Sequence, residues 1–405
     1  MYSLCIYIYM FCVNVAALFG NKKARLMMRG HRDTWRILRK KAGDEQYVWF
    51  HAASLGEFEQ GRPLMERLRR EHPQKRILLT FFSPSGYEVR KDYDVADIVC
   101  YLPFDTAANV RKFFRLVSIE KAFFIKYEFW KNYLSRLRRE GIETYSVSSI
   151  FRKDQVFFKW YARRYANVLR CFTHLFVQDE NSRTLLGGIG VENVSVVGDT
   201  RFARVLDIRN AAKDVPVAEA FAKGHSVLVC GSTWPPDEDL ILDYFNRHKE
   251  LRVILAPHVI DEAHLQNIEG KIKRRSVRYT QTDAAAASEA DCLIIDCFRL
   301  LSSLYRYGQV AYVGGGFGVG IHNVPEAAVY GVPVIIGPNN KKFREAQALL
   351  QNGGCREVNN QAEFDAAMDL FLTNADALKT AGDAAGKYVR DNADAADKIY
   401  DAVLK

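Results

Sequence analysis

Residues 313–338 read VGGGFGVGIHNVPEAAVYGVPVIIGP, and this stretch decides the fold. The apolar run from Gln309 to Val313 reads as a buried strand that stops at Gly314, Gly315 and Gly316. A short loop with Gly318, Gly320, His322 and Asn323 follows, and Pro325-Glu326-Ala327-Ala328 opens a helix. Proline suits the first helical turn, where its missing N–H is not needed. A second apolar run, 332–336, completes a strand–glycine loop–helix–strand unit. Glycines let a ligand approach the backbone, and a helix N-terminus offers N–H donors and partial positive charge to a phosphate. Glu326, in the first turn, is placed to accept hydrogen bonds from hydroxyls of the same ligand. The unit therefore reads as a nucleotide or sugar-phosphate site at the carboxyl end of parallel strands, or as a capped helix after a glycine-rich turn.

The pattern extends in both directions. Strands are predicted at 47–52, 76–81, 98–102, 121–126, 142–147, 172–177 and 194–198, with helical patterns between them, notably 57–71 and 130–140. Residues 206–223 are polar and Ala-rich with Pro216, as in a linker. The pattern then restarts, with strands at 226–230, 251–256, 276–280, 291–296, 309–313 and 332–336 and a final helix at about 375–404. The expected architecture is α/β: one Rossmann-like domain over 21–205 and a second over 224–405, facing a cleft. Two domains are also the default for 405 residues.

Residues 1–20, MYSLCIYIYMFCVNVAALFG, carry no charge, and a basic run from Lys22 to Lys41 follows. The segment is about long enough for one short membrane span and is apolar all round. The flanking basic residues place the body of the protein on the cytoplasmic side. A buried N-terminal helix is the alternative. The formal net charge of +9 favours an anionic partner, whether membrane surface, phosphorylated substrate or nucleic acid. No compact nucleic-acid motif is present, so nucleic acid ranks last. The eight cysteines form no C-x-x-C pair, and Cys100, Cys230 and Cys292 sit in apolar runs as small core residues. Acidic and His residues show no metal spacing, and P-loop, H-E-x-x-H and G-x-S-x-G signatures are absent. No metal or cofactor is expected.

Several loops after strands could carry chemistry. HAASLGEFEQG, 51–61, places Glu57 at a helix N-terminus and, on the expected architecture, in the inter-domain cleft. The dipole favours the ionised form there, so Glu57 serves as a general base only if desolvation or substrate raises its proton affinity; otherwise it supports its own helix. TFFSPSGYE, 80–88, offers Ser83, Ser85 and Gly86 as donors to a phosphate or sugar, or simply a helix cap. In KYEFWKNYL, Lys126 and Glu128 end a strand and could pair with one another, while Tyr127, Phe129 and Trp130 read as packing residues. VGDTRFARV supplies Arg201, a fork-shaped donor for a carboxylate or phosphate, or one half of a surface ion pair. GSTWPPDE presents Ser232 and Thr233, and APHVIDE presents His258, at the ends of adjacent strands.

Together these blocks, HAASLGE, TFFSPSG, KYEFWKNY, VGDTRF, GSTW, APH and GIHNVPEAAVYGVPVIIGP, occur in the order seen in the 3-deoxy-D-manno-octulosonic acid (Kdo) transferases of Gram-negative bacteria, and the chain resembles that family over nearly its whole length. The resemblance implies a GT-B glycosyltransferase fold whose final helix often crosses back to the first domain. It implies CMP-Kdo as donor, a lipid A precursor as acceptor, and residence at the inner membrane with catalytic domains on the cytoplasmic face. It also implies an inverting displacement, with Glu57 at the position of the general base. By family position, Ser232, Thr233, His258, Gly314, Gly315, Gly316, Asn323 and Glu326 belong to the donor site, and Arg201 meets an anionic group of donor or acceptor. The glycine loop departs locally from the family, because Gly318 and Gly320 add flexibility. The alternatives are another GT-B enzyme using a UDP-sugar, and a non-enzymatic sugar-nucleotide sensor.

Overall fold

The computed structural model describes residues 2–405. It divides into two compact units, 1–204 together with 392–405, and 205–391. Each is built on a seven-stranded sheet in which every pairing is parallel.

In the first unit the strands are β1 (Gln46–Ala52), β2 (Arg76–Phe81), β3 (Ile98–Tyr101), β4 (Ser118–Ile125), β5 (Glu143–Ser149), β6 (His174–Val177) and β7 (Val194–Val196). Their order is β3-β2-β1-β4-β5-β6-β7. The strands read as apolar runs because helices cover both faces. Alternation still sorts their side chains into two cores. Tyr47, Trp49, Leu78 and Phe124 pack on one face; Val48, Phe50, Leu79 and Phe123 pack on the other. The chain runs outward through β2 and β3, then returns to lay β4 against the far side of β1. The switch point of this sheet is thus the pair β1/β4, where open α/β sheets place their ligands.

The second unit repeats the plan with β8 (Ser226–Thr233), β9 (Leu251–Pro257), β10 (Ser276–Arg278), β11 (Cys292–Ile294), β12 (Val310–Val313), β13 (Val334–Ile336) and β14 (Cys355–Glu357). The order is β10-β11-β9-β8-β12-β13-β14, and the switch point is β8/β12. The sequence reading did not include β14, a three-residue edge strand with one half-buried and one exposed residue, too short to leave a periodic signal.

Helices fill the segments between and beyond the sheets. The stretch 206–223, the predicted connection between units, is largely helical: helix Arg201–Asn210 runs into it, and Pro216–Ala222 buries Ala218 and Phe221. The final helix is two helices, Ala375–Asp391 and Ala395–Val403, broken at 392–394. The second crosses back into the first unit, as the resemblance implied: Ala396, Ile399 and Tyr400 join the core beside Val48 and Phe58, and Arg67 bonds Asp397 and Asp401, each at 2.8 Å. The N-terminal segment forms the 17-residue helix Tyr2–Leu18, about 26 Å long at 1.5 Å per residue against a hydrocarbon core of about 30 Å. No single helix among the described residues is long and apolar enough to cross a membrane. A bend of 119° separates it from the basic helix Lys22–Lys41. It lies along loops at the carboxyl ends of β2, β3 and β4. Tyr9 meets the rings of Phe82 and Phe104, and the Tyr2 hydroxyl donates to Asp105 at 2.5 Å.

Candidate functional site

Among the described residues only four non-glycine residues have a left-handed backbone, and three of them lie at carboxyl ends of strands: Lys126 after β4, Ser148 in β5 and Ser232 in β8. Such a conformation costs about 1–2 kcal/mol for an L-residue. It persists only where neighbours enforce it, and it clusters at functional sites. At Lys126 both backbone groups are held: its N–H donates to the Val147 carbonyl at 2.8 Å, and its carbonyl accepts from Ser149 Oγ at 2.7 Å.

At the β1/β4 switch point three loops meet. Helix Leu55–Glu71 starts immediately after β1 and carries Glu57 in its first turn. Glu57 Oε2 accepts from the Ala53 N–H at 2.5 Å, reaching back over the helix start as the glutamate of a capping box does. The loop after β2 lies against this one. The Ser83 N–H donates to the Ala53 carbonyl at 2.7 Å, and a side chain at Gly86 would stand 2.3 Å from the Phe81 ring and 3.1 Å from the Ser54 carbonyl carbon. Gly86 is required there for packing. Ser83 caps the helix Pro84–Arg90, accepting from the Ser85 N–H at 3.3 Å, with the two hydroxyls 3.0 Å apart.

The third loop follows β4. Glu128 is buried, and its Oε2 lies 2.6 Å from Trp130 Nε1 and 2.9 Å from His51 Nε2. His51, wholly buried on β1, places Nδ1 2.9 Å from Thr80 Oγ1, which also accepts from Trp49 Nε1 at 2.8 Å. A chain of polar groups thus runs from the core of the sheet to Glu128. It fixes the carboxylate that faces Glu57. Burial and the Glu128 charge push the Glu57 carboxyl up to about 7, against the Ala53 and Ser54 N–H groups and the Lys126 ammonium, which favour its ionised form. Desolvation therefore overrides the helix dipole, and a carboxylate of ordinary acidity becomes one able to take a proton near neutrality.

One turn further along the same helix, Gln60 donates to Asp199 at 2.9 Å. Asp199 is held in its ionised form by Arg201, whose Nε and Nη2 donate to its carboxylate at 2.9 and 2.8 Å. Arg201 is therefore one half of an ion pair whose guanidinium remains half-exposed.

At the β8/β12 switch point the glycine turn is locked by backbone packing. A Cβ at Gly314 would lie 2.5 Å from the Ser232 carbonyl oxygen, and one at Gly316 would lie 2.6 Å from Gly337 Cα; Gly315 has a φ of +92°. The buried Asp237 ties this turn to helix Pro235–Arg247. It accepts from the Trp234 N–H at 2.9 Å, the Gly315 N–H at 2.8 Å and the Tyr312 hydroxyl at 2.7 Å. The Thr233 hydroxyl donates to buried Glu238 at 3.0 Å, and Glu238 meets His264 Nε2 at 2.8 Å. His258 stacks on Trp234 with ring centroids 4.8 Å apart and lies 4.5 Å from the His322 ring. Burial and His258 lower the pKa of His322. Glu326, pushed up by burial, accepts from Asn323 Nδ2 at 2.7 Å in the five-residue helix Val324–Ala328.

The structure thus gathers Glu57, Ser83, Ser85, Gly86, Lys126 and Glu128 at one switch point, with Arg201 one turn along. It gathers Ser232, Thr233, His258, Gly314, Gly315, Gly316, Asn323 and Glu326 at the other. Sequence reasoning missed the roles of His51, Trp130, Asp237, Glu238 and His264. The W-P-P-D-E start of helix Pro235–Arg247 carries a legible capping signal for Asp237. Nothing local marks His51 or His264, whose partners lie 77 and 26 residues away.

Comparison with known proteins bears on the family and the fold. Residues 26–204 match the family described as 3-deoxy-D-manno-octulosonic-acid transferase (kdotransferase). A 3-deoxy-D-manno-octulosonic acid transferase of Aquifex aeolicus is 27% identical over 78% of this chain and 83% of its own. One of Rickettsia prowazekii is 25% identical over 96% and 86%. Among solved structures, a UDP-GlcNAc 2-epimerase from Neisseria meningitidis superposes with a TM-score of 0.62 at 13% identity, covering 89% of this chain and all of the other. That likeness shows the fold, a GT-B pair of parallel α/β units. Residues 26–204 thus match the model of the 3-deoxy-D-manno-octulosonic-acid transferase family, and most of the chain is similar to transferases of that name.

Proposed function

We propose that the protein is an inverting glycosyltransferase that moves Kdo from CMP-Kdo to a hydroxyl of the lipid A precursor in lipopolysaccharide biosynthesis, with Glu57 as general base. The observation that carries the role of Glu57 is its position: a carboxyl with a pKa of about 7 at the switch point of the first sheet, opposite a fixed second carboxylate. In the reaction an acceptor hydroxyl gives its proton to Glu57 as its oxygen bonds to the anomeric carbon of Kdo. The bond from that carbon to the CMP phosphate oxygen breaks, and its electron pair leaves with CMP. Lys126 lies close enough to favour the ionised base before the proton arrives. Ser83 and Ser85, whose loop bonds the Ala53 carbonyl, offer hydroxyls to an acceptor sugar or phosphate.

The donor belongs at the second switch point. The Asp237-anchored glycine turn supplies close backbone approach, and Glu326 supplies an acceptor for donor hydroxyls. The leaving group is a phosphate monoester anion, which oriented dipoles and cationic donors can stabilise without a metal. The net charge of +9, the exposed apolar helix Tyr2–Leu18 and the basic helix after it suit an anionic lipid acceptor at the cytoplasmic face of the inner membrane.

The test is transfer from CMP-Kdo to purified lipid A precursor by wild type and Glu57→Gln, with CMP binding as the folding control. Wild-type product, lost in the variant while CMP still binds, supports reaction and base together. Product formed equally by the variant moves the base elsewhere. Absence of wild-type product, with protection by UDP and not by CMP, overturns the donor.

A further inference from the structure

We infer that the turn at 156–161 is a second membrane-contact element of the first unit, which seats Trp160 and Tyr161 in the head-group layer of an anionic bilayer. The inference rests on the membrane-bound reading above and adds to it a surface that the N-terminal helix does not supply. Trp160 is 83% exposed and Tyr161 66%, whereas the other four tryptophans are buried or half-buried. Two 3-10 turns, Val156–Phe158 and Trp160–Ala162, hold the two rings outward. Exposed Trp and Tyr on a fixed turn suit the membrane–water interface, where one end of each side chain is apolar and the other wet.

The turn continues an apolar face already present. Buried Phe157 stacks on Tyr165 at 5.5 Å, and Tyr165 stacks on Tyr2 at 5.9 Å, the first turn of helix Tyr2–Leu18. That helix exposes Leu4, Tyr7, Ile8 and Phe11. Three stacked rings therefore tie the 156–161 turn to the uncharged helix within one unit. Beside Trp160 lies a hollow of about 710 Å³ with Phe157, Phe158 and Ile189 in its wall and Lys159, Asn167 and Arg170 around it. Apolar groups next to cations match the layering of an acyl chain below a phosphate.

Charge selects the bilayer over a second copy of this chain. Residues 152–170 contain six basic residues and one acidic residue. A symmetric dimer through this patch would set like charge against like. An anionic leaflet instead attracts each basic residue near its surface. The helix Tyr2–Leu18, having no charged side chain, gives no such preference.

The experiment uses the full chain and flotation with vesicles of phosphatidylethanolamine and phosphatidylglycerol, or of phosphatidylcholine alone. The double variant W160S/Y161S should bind the anionic vesicles about tenfold or more weakly, the loss expected from withdrawing two half-inserted aromatic rings. W160Y should retain binding, and both variants should keep wild-type transfer in detergent micelles. Brominated lipid should quench wild-type fluorescence more than that of W160F. Equal flotation of wild type and W160S/Y161S, with equal quenching of wild type and W160F, overturns the inference and leaves the reaction standing. Cross-linking through position 160 into dimers in lipid-free solution also overturns it, in favour of a second copy. Wild type that binds neither vesicle overturns the membrane-bound reading along with it.

Discussion

Neutralising Glu57 should stabilise the protein while removing its activity, and the size of the gain depends on pH. The carboxyl is pushed from 4.5 to about 7 by burial and by the Glu128 charge. Below 4.5 the folded and unfolded chains both hold the proton, so Glu57 contributes no difference. Between 4.5 and 7 the folded state binds more protons than the unfolded one, so stability falls as pH rises. Above 7 the ionised group is less stable in the fold than in water by about 3 kcal/mol, from 1.36 kcal/mol per pH unit. Glu57→Gln removes that cost and keeps an oxygen for the Ala53 N–H. At pH 8.5 the variant should melt on the order of 6–12 °C above wild type, for a cooperative unit of this size. At pH 4.5 the two should melt together. Transfer should fall by about 10²–10⁴, the usual contribution of a general base. The measurements are thermal melts from pH 4.5 to 8.5 and transfer rates on the same preparations. A melting difference that does not change with pH would refute the elevated pKa. A stabilised variant that remained fully active would refute the assignment of the base.

Three further outcomes follow from the geometry. Wild-type kcat/KM should rise with pH through about 7 as Glu57 ionises, and in Glu128→Gln the midpoint of that limb should move to lower pH, because the charge that raises the Glu57 pKa is gone while an oxygen remains for Trp130 Nε1. Gly314→Ala should lose about 1–3 kcal/mol in urea melts and lose protection by CMP, since its Cβ would meet backbone at 2.5 Å; Gly318→Ala, with nothing within 4 Å, should melt as wild type. Transfer should survive complete chelation with EDTA, and a rate restored only by added Mg²⁺ would overturn the metal-free reading of the leaving group.

The frame was legible because parallel strands buried on both faces leave long apolar runs. β1, β2 and β4 are read from Trp49, Leu78 and Phe123 and their neighbours without any tertiary information. β14 was illegible because three residues at an edge bury too little to leave a pattern. The break at 392–394 was illegible for a different reason. No Pro or Gly marks it, and its cause lies in packing, since Ile399 and Tyr400 find their partners beside Val48 and Phe58. Glu57 was legible as a residue at a helix start, but its altered acidity depends on Glu128, which lies on another strand's loop. Local reading pointed to a dipole-stabilised carboxylate, and the tertiary fold reverses that preference.

The two switch points share a topology and differ in what the sequence places on it. After β1 and β4 the loops present side chains: two carboxylates, a lysine, two serines and an indole, braced by the buried His51 and Thr80. After β8 and β12 the glycine turn packs backbone against backbone, and buried Asp237 accepts from the Gly315 N–H. Proton transfer needs a titratable group whose environment can be tuned, which a bare backbone does not offer. Holding an anionic leaving group calls for fixed dipoles, and the two carboxylates beside the glycine turn are already engaged, Asp237 by the Gly315 N–H and Glu326 by Asn323 Nδ2. On the proposed reaction, the division of chemistry between the units follows from these residues. Exchanging the glycine turn for side chains should therefore damage donor binding, and neutralising Glu57 should damage the proton-transfer step while CMP binding remains intact.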